Sequence, residues 1–189
     1  MSTVETCPRR QGRSAALAVC ALAVSATLGL AAARPVVAEA RKPAVEITGW
    51  GIVDHLRTVG TAPSDTLVGR NNLIDPAVPV EIAETTLDIP ACLGTRFGIL
   101  FRATDAKGGR LTPITVRIRH PEQVAPDGRR SSMSQWPTEA GGQPRYTGWR
   151  FEQPFEVVTG DWTISIEMGG RTVVEKTFTV RRSACALTS

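Results

Sequence analysis

The stretch GDWTISIEMGGRTVVEKTFTV, residues 160–180, decides the fold. Trp162, Ile164 and Ile166 fall on one side of an extended chain, and Thr163, Ser165 and Glu167 on the other. Successive side chains of a strand point to opposite faces, so this pattern predicts a strand with one buried face. Met168-Gly169-Gly170-Arg171 then turns the chain into a second strand over residues 172–180. Two registers compete. A plain two-residue turn sets Glu175 opposite Ile164 and Thr177 opposite Trp162. A three-residue loop with a glycine bulge pairs Ile166 with Val174 and Trp162 with Phe178, leaving only Lys176 to lay its stem beside Ile164. The bulged register is expected, because it keeps apolar residues facing apolar ones.

Working outward, Phe97, Ile99, Phe101 and Ala103 alternate with Gly98, Leu100 and Arg102. Ile114, Val116 and Ile118 alternate with Thr115, Arg117 and Arg119. Turn residues 105–109 lie between these runs, so the two are expected to form a hairpin. Three further strands are expected over residues 45–53, 81–89 and 146–152, the last with Thr147, Trp149 and Phe151 on one side. No apolar period of three to four persists long enough to make a convincing helix after residue 40. Two Pro- and Gly-containing polar stretches, 56–80 and 121–145, are long for structureless loops, and each has room for a short strand or a mobile segment. Six to eight short strands imply an all-β fold: a two-sheet antiparallel sandwich, immunoglobulin-like, in a single domain. A small barrel is the competing architecture.

The start of the chain reads differently. Arg9, Arg10 and Arg13 precede an uncharged, alanine-rich run from residue 15 to 33, followed by Pro35 and Ala38-Glu39-Ala40. That order of positive region, apolar region and small-residue site predicts a cleavable secretory signal over 1–40, with an uncleaved membrane anchor as the alternative. A twin-arginine signal and a lipoprotein box are weaker variants of export. Gln11-Gly12-Arg13 lacks bulky apolar residues, and Cys20 sits early in the apolar run behind a large Val19. The expected location is periplasmic or extracellular, with no membrane span left after cleavage.

Processing changes the composition. Residues 41–189 keep 18 of the 22 Lys and Arg and 16 of the 18 Asp and Glu, so the net charge falls from +4 to +2. This removes the compositional support for nucleic-acid binding. Cys7 and Cys20 leave with the signal, and Cys92 and Cys185 are expected to pair in an oxidising compartment.

Few chemistries find residues to carry them. The chain has two histidines, His55 and His120, and Asp54-His55 is the nearest thing to a ligand pair. Both histidines read first as surface or rim residues. No metal site and no cofactor is expected. There is no Gly-x-Ser-x-Gly elbow, and a triad assembled from either histidine with Ser131, Ser132 or Ser134 is invisible in sequence. Arg102, Arg117 and Arg119 fall on the outward phase of what are expected to be adjacent strands, with Arg150 joining them, as a face for an anionic partner. Of the four tryptophans, Trp136 is the candidate for ligand stacking, because it is placed in a polar loop.

Three segments carry a resemblance: Gly94-Thr95-Arg96-Phe97-Gly98, Gly148-Trp149-Arg150-Phe151, and Gly160-Asp161-Trp162 leading to a hairpin that ends Phe178-Thr179-Val180. Through them residues 45–180 resemble an uncharacterised family of small secreted bacterial domains of unknown function. The resemblance implies the sandwich and carries no catalytic or ligand residue. The expected function is a non-catalytic exported module whose loops or sheet edge contact a protein or an envelope polymer. A small hydrolase or metal-binding protein using Asp54, His55 and His120 is the alternative.

Overall fold

A computed structural model describes residues 44–104 and 109–185. The expected export signal and residues 105–108 of the expected turn lie outside the described residues. The described residues form ten strands: β1 (Val45–Ile52), β2 (Thr58–Pro63), β3 (Arg70–Ile74), β4 (Asp88–Pro90), β5 (Arg96–Ala103), β6 (Thr112–Val124), β7 (Arg130–Ala140), β8 (Arg145–Arg150), β9 (Gly160–Met168) and β10 (Arg171–Arg181). A single 3-10 turn, Pro154–Glu156, interrupts the run from β8 to β9. A three-stranded sheet, β1-β5-β8, faces a five-stranded sheet, β4-β10-β9-β6-β7, and β2 and β3 make a separate two-stranded hairpin. All pairings are antiparallel except the short β4–β10 contact.

The core is where the alternating residues of the two sheets meet. Phe97, Ile99 and Phe101 enter from β5, Val116 and Ile118 from β6, and Trp162, Ile164 and Ile166 from β9, none more than 2% exposed. Phe97 lies edge-on to Trp162 at 5.7 Å and to Phe178 at 5.3 Å, geometries that aromatic quadrupoles favour. The β9–β10 register is the bulged one: Ile166 faces Val174, Ile164 faces Lys176 and Trp162 faces Phe178. The extra residue sits elsewhere than expected. Met168 pairs with Arg171 around a two-residue turn, Gly169 and Gly170 have φ of 55° and 76°, and the slip falls between Thr172 and Val174. Glycine suits both turn positions because left-handed backbone crowds a Cβ. Lys176 extends toward β1 and sets its ammonium 3.9 Å over the Trp50 ring.

Other expectations are corrected. Residues 97–103 and 114–118 do not pair as a hairpin. β5 bonds to β1 and β8, and β6 to β7 and β9, so the two runs oppose each other across the sandwich. Of the strand expected over 81–89 only Asp88–Pro90 forms, although the Ile52 carbonyl accepts from Ala83 at 2.9 Å. Both long polar stretches hold strands. The first contains β2 and β3, and the second contains the end of β6 and all of β7.

Cys92, ahead of β5, is bonded to Cys185, past β10. The bridge extends the parallel β4–β10 contact, in which the Ala91 amide donates to the Arg181 carbonyl at 2.8 Å. Closing a loop across 93 residues stabilises a fold by roughly 4–5 kcal/mol where unfolded-chain entropy is the only contribution.

Candidate binding site

One candidate site lies at the end of the sandwich where β6 turns into β7 and β8 gives way to the 3-10 turn. A cleft of about 590 Å³ lies there between the β2–β3 hairpin and the β6–β7 turn. That volume is in the range of small-ligand sites. Leu67, Val68, Ala125, Pro126 and Phe155 supply its apolar lining. Arg70, Asn72, Asp127, Arg129, Glu152 and Gln153 supply the polar one.

Local bonds hold these walls. The Asn72 amide donates to Glu152 Oε1 at 3.0 Å, and Arg129 Nη2 donates to the Leu67 carbonyl at 3.0 Å, so the hairpin is tied to the sandwich at two points. Arg129 also bonds Asp127 Oδ2 at 2.7 Å. Next to Phe155 in the chain, the Glu156 carboxylate accepts from the backbone amides of Glu152 and Gln153, both at 2.7 Å, and is 2% exposed. Burial pushes its carboxyl pKa up while the two amides pull it down. A buried carboxylate that collects two backbone donors is a positioning device, because it rigidifies the segment carrying Phe155 and Glu152.

The residues expected to bear function are dispersed. Asp54 and His55 are exposed, and the Asp54 carbonyl accepts from Arg96 Nη1 at 2.8 Å. His120 is not on the rim. It is 5% exposed and stacked on Trp162 at 4.8 Å, with Trp149 tilted against it at 5.7 Å. Its Nδ1 lies 2.9 Å from the Pro121 carbonyl, which assigns the proton to Nδ1 and leaves Nε2 to accept from Ser134 Oγ at 3.5 Å. Burial lowers the His120 pKa, and the carbonyl bond opposes that shift. A serine and a histidine do therefore meet, but Ser134 is 1% exposed and neither residue lines the cleft. Among the described residues no three of His, Cys, Asp and Glu gather around a point where a metal ion could sit.

The arginine stripe divides. Arg102 lies on β5 and Arg150 on β8 in one sheet, whereas Arg117 and Arg119 lie on β6 in the other. Carboxylates face them: Glu46 lies 2.6 Å from Arg102, Glu167 is 2.7 Å from Arg117, and Glu175 is 3.6 Å from Arg119. The cause is the partner assignment, because β5 and β6 are not neighbours. Trp136 is also corrected. It sits on β7 opposite Val116, half-buried against the core, and not in a loop. Phe155, which the sequence reading passed over, is the aromatic residue of the cleft. Its signal was the Pro154-Phe155 pair in the connection after an aromatic strand.

Two facing sheets, alternating inward residues and loops collected at the ends define an immunoglobulin-like β-sandwich. The chain is similar to a solved immunoglobulin-like protein from Pseudomonas aeruginosa, at 26% identity with a TM-score of 0.50, over 72% of this chain and 96% of that one. Residues 41–180 match the family described as "Domain of unknown function (DUF3859)", and the chain belongs to that family. No curated protein matches it.

Proposed function

We propose that this chain is a non-catalytic, exported binding module that holds a hydroxyl-rich envelope polymer in the cleft between the β2–β3 hairpin and the β6–β7 turn. The observation that carries this reading is the composition of the cleft wall. The Phe155 ring offers an apolar surface, and around it Arg70, Asn72 and Gln153 offer planar polar groups at a site of about 590 Å³. A few polar groups that converge on an apolar lining are the ordinary makeup of a binding site. A planar amide presents a donor beside an acceptor and a guanidinium presents a fixed fork of donors, which suits the closely spaced hydroxyls of a saccharide better than an apolar peptide. Export is supported by the arrangement of residues 1–40 and by the Cys92–Cys185 bridge, a bond that persists in oxidising compartments.

Titration of the purified protein with soluble polysaccharides tests the reading. Phe155→Ala is expected to weaken binding by about tenfold or more, the effect of losing one stacked aromatic group, while Trp136→Ala leaves it unchanged. Failure of every polysaccharide to bind, or equal binding by the Phe155 variant, would overturn it.

A further inference from the structure

Arg96 and Arg150 are direct partners in the β5–β8 ladder. Both lie on the outward phase, since Phe97 and Trp149 beside them are buried. They form the one like-charged pair among the described ladder partners. Opposed side chains in an antiparallel ladder have Cβ atoms roughly 4.5–5.5 Å apart, and like charges there are destabilising.

Among the described residues the pair shares one carboxylate, Glu152, and holds it less closely than most other arginines hold theirs. Arg102, Arg117, Arg129, Arg130 and Arg181 each have a carboxylate oxygen at 2.6 or 2.7 Å. Arg96 has the Asp54 carbonyl, a neutral acceptor, and no carboxylate within ion-pair distance among the described residues. Arg150 approaches Glu152 only to 3.7 Å, and Glu152 Oε1 already accepts from Asn72. Partial burial, then the adjoining Arg150 charge, lowers the Arg96 pKa, and the Glu152 carboxylate opposes part of that shift. Tyr146, next on the same face of β8, adds no negative charge, because burial holds its phenol well above its ordinary pKa and its hydroxyl donates to the Phe97 carbonyl at 2.8 Å. The backbone keeps the two guanidinium stems together. A Cβ on Gly98 or on Gly148, which pair with each other, would overlap the opposite strand and the Tyr146 side chain.

We infer that Arg96 and Arg150 form a carboxylate-binding site, and that the polymer held in the adjoining cleft is an acidic, uronate-bearing polysaccharide. This rests on the reading of the cleft as a polymer site. Glu152 joins the two features, since it lines the cleft and lies beside Arg150, and Arg70 adds a further cation to the cleft wall without a carboxylate partner among the described residues. Guanidinium forks match the two oxygens of a carboxylate, and a bound anion converts the repulsion between two arginines into shared attraction. An acidic peptide would satisfy the arginines but would leave the hydroxyl-suited wall around Phe155 unused.

The test titrates the full chain with polygalacturonate, neutral dextran and polyglutamate, each at low and high salt. Polygalacturonate is expected to bind at least about tenfold more tightly than either other polymer, with the advantage lost at high salt. Arg150→Gln and Arg96→Gln are each expected to reduce polygalacturonate affinity about tenfold, the effect of one charge-assisted bond. Arg96→Gln also loses the bond to Asp54, so Arg150→Gln, at an exposed position, is the deciding variant. Its melting temperature is expected to stay level or rise as the repulsion is relieved. Unchanged polygalacturonate binding in Arg150→Gln overturns the inference, and so does equal affinity for polyglutamate. Phe155→Ala separates the two readings. If it weakens dextran and polygalacturonate while Arg150→Gln weakens neither, the cleft stands and the arginine site falls. If only Arg150→Gln acts, the arginine site stands and the cleft falls.

Discussion

Between the sandwich core and the β2–β3 hairpin the contrast is one of burial. In the core, Phe97, Ile99, Val116, Ile118, Trp162, Ile164 and Ile166 are all 0% exposed. In the hairpin, Val59 is 60% and Leu73 46% exposed, and no residue of either strand is fully buried. The core is held by hydrophobic burial and aromatic packing. The hairpin is held by its own ladder and by polar ties such as Asn72 to Glu152 and Arg129 to the Leu67 carbonyl. Elements with few buried apolar contacts open at low free energy. One wall of the cleft is therefore adjustable, while the floor around Phe155 is fixed by Glu156.

This contrast can be broken or sharpened. Trp162→Ala empties the centre of the aromatic cluster and is expected to cost about 3–5 kcal/mol, read as a shift in the urea midpoint. A loss below about 1 kcal/mol would mean that the core does not hold the fold. The next effect is smaller, because it concerns one proton. The His120 pKa is lower in the folded state than the histidine value of about 6.5. Above that value neither state is protonated and stability is complete. As pH falls below it, the unfolded chain takes up the proton first, so stability declines until the depressed folded pKa is reached. His120→Gln is expected to remove this decline, so the difference between the two stability curves should slope between pH about 6.5 and the acid range. Parallel curves would place His120 in a solvated setting. The smallest global effect is that of Asn72→Ala. It is expected to move the unfolding midpoint by no more than about 0.5 kcal/mol while amide exchange in the hairpin, residues 58–74, speeds up. A global loss as large as that from Trp162→Ala would show that the hairpin belongs to the core.

How much of this was legible in the sequence follows from the range of each interaction. Alternation named the buried faces of β5, β6, β8 and β9 correctly, since the period of two is a local property of the chain. The β9–β10 register was legible too, because a one-residue slip would have set Glu175 against Ile164. The partner of β5 was not legible. An inward-facing row reads the same whether its neighbour is beside it or across the core, and the turn residues at 105–109 favoured the wrong choice. β2 and β3 could be suspected within 56–80 but not located, because both of their faces are largely solvated and leave no alternation to read. At the candidate site, Arg150 was singled out but Arg96 was not, although Arg96 stands in the quoted Gly94–Gly98 segment. Setting that segment antiparallel to Gly148–Phe151, glycine against glycine, would have found the pair.

By itself, then, the sequence determined which residues face inward, where the terminal hairpin turns and its register. These depend on side-chain alternation and backbone freedom within a few residues. Tertiary structure alone decided which strands are neighbours, which histidine is buried and which arginines are neutralised. A charge is compensated only by what the fold brings within a few ångströms of it. Glu46 reaches Arg102 across 56 residues of chain, and among the described residues no carboxylate comes within ion-pair distance of Arg96.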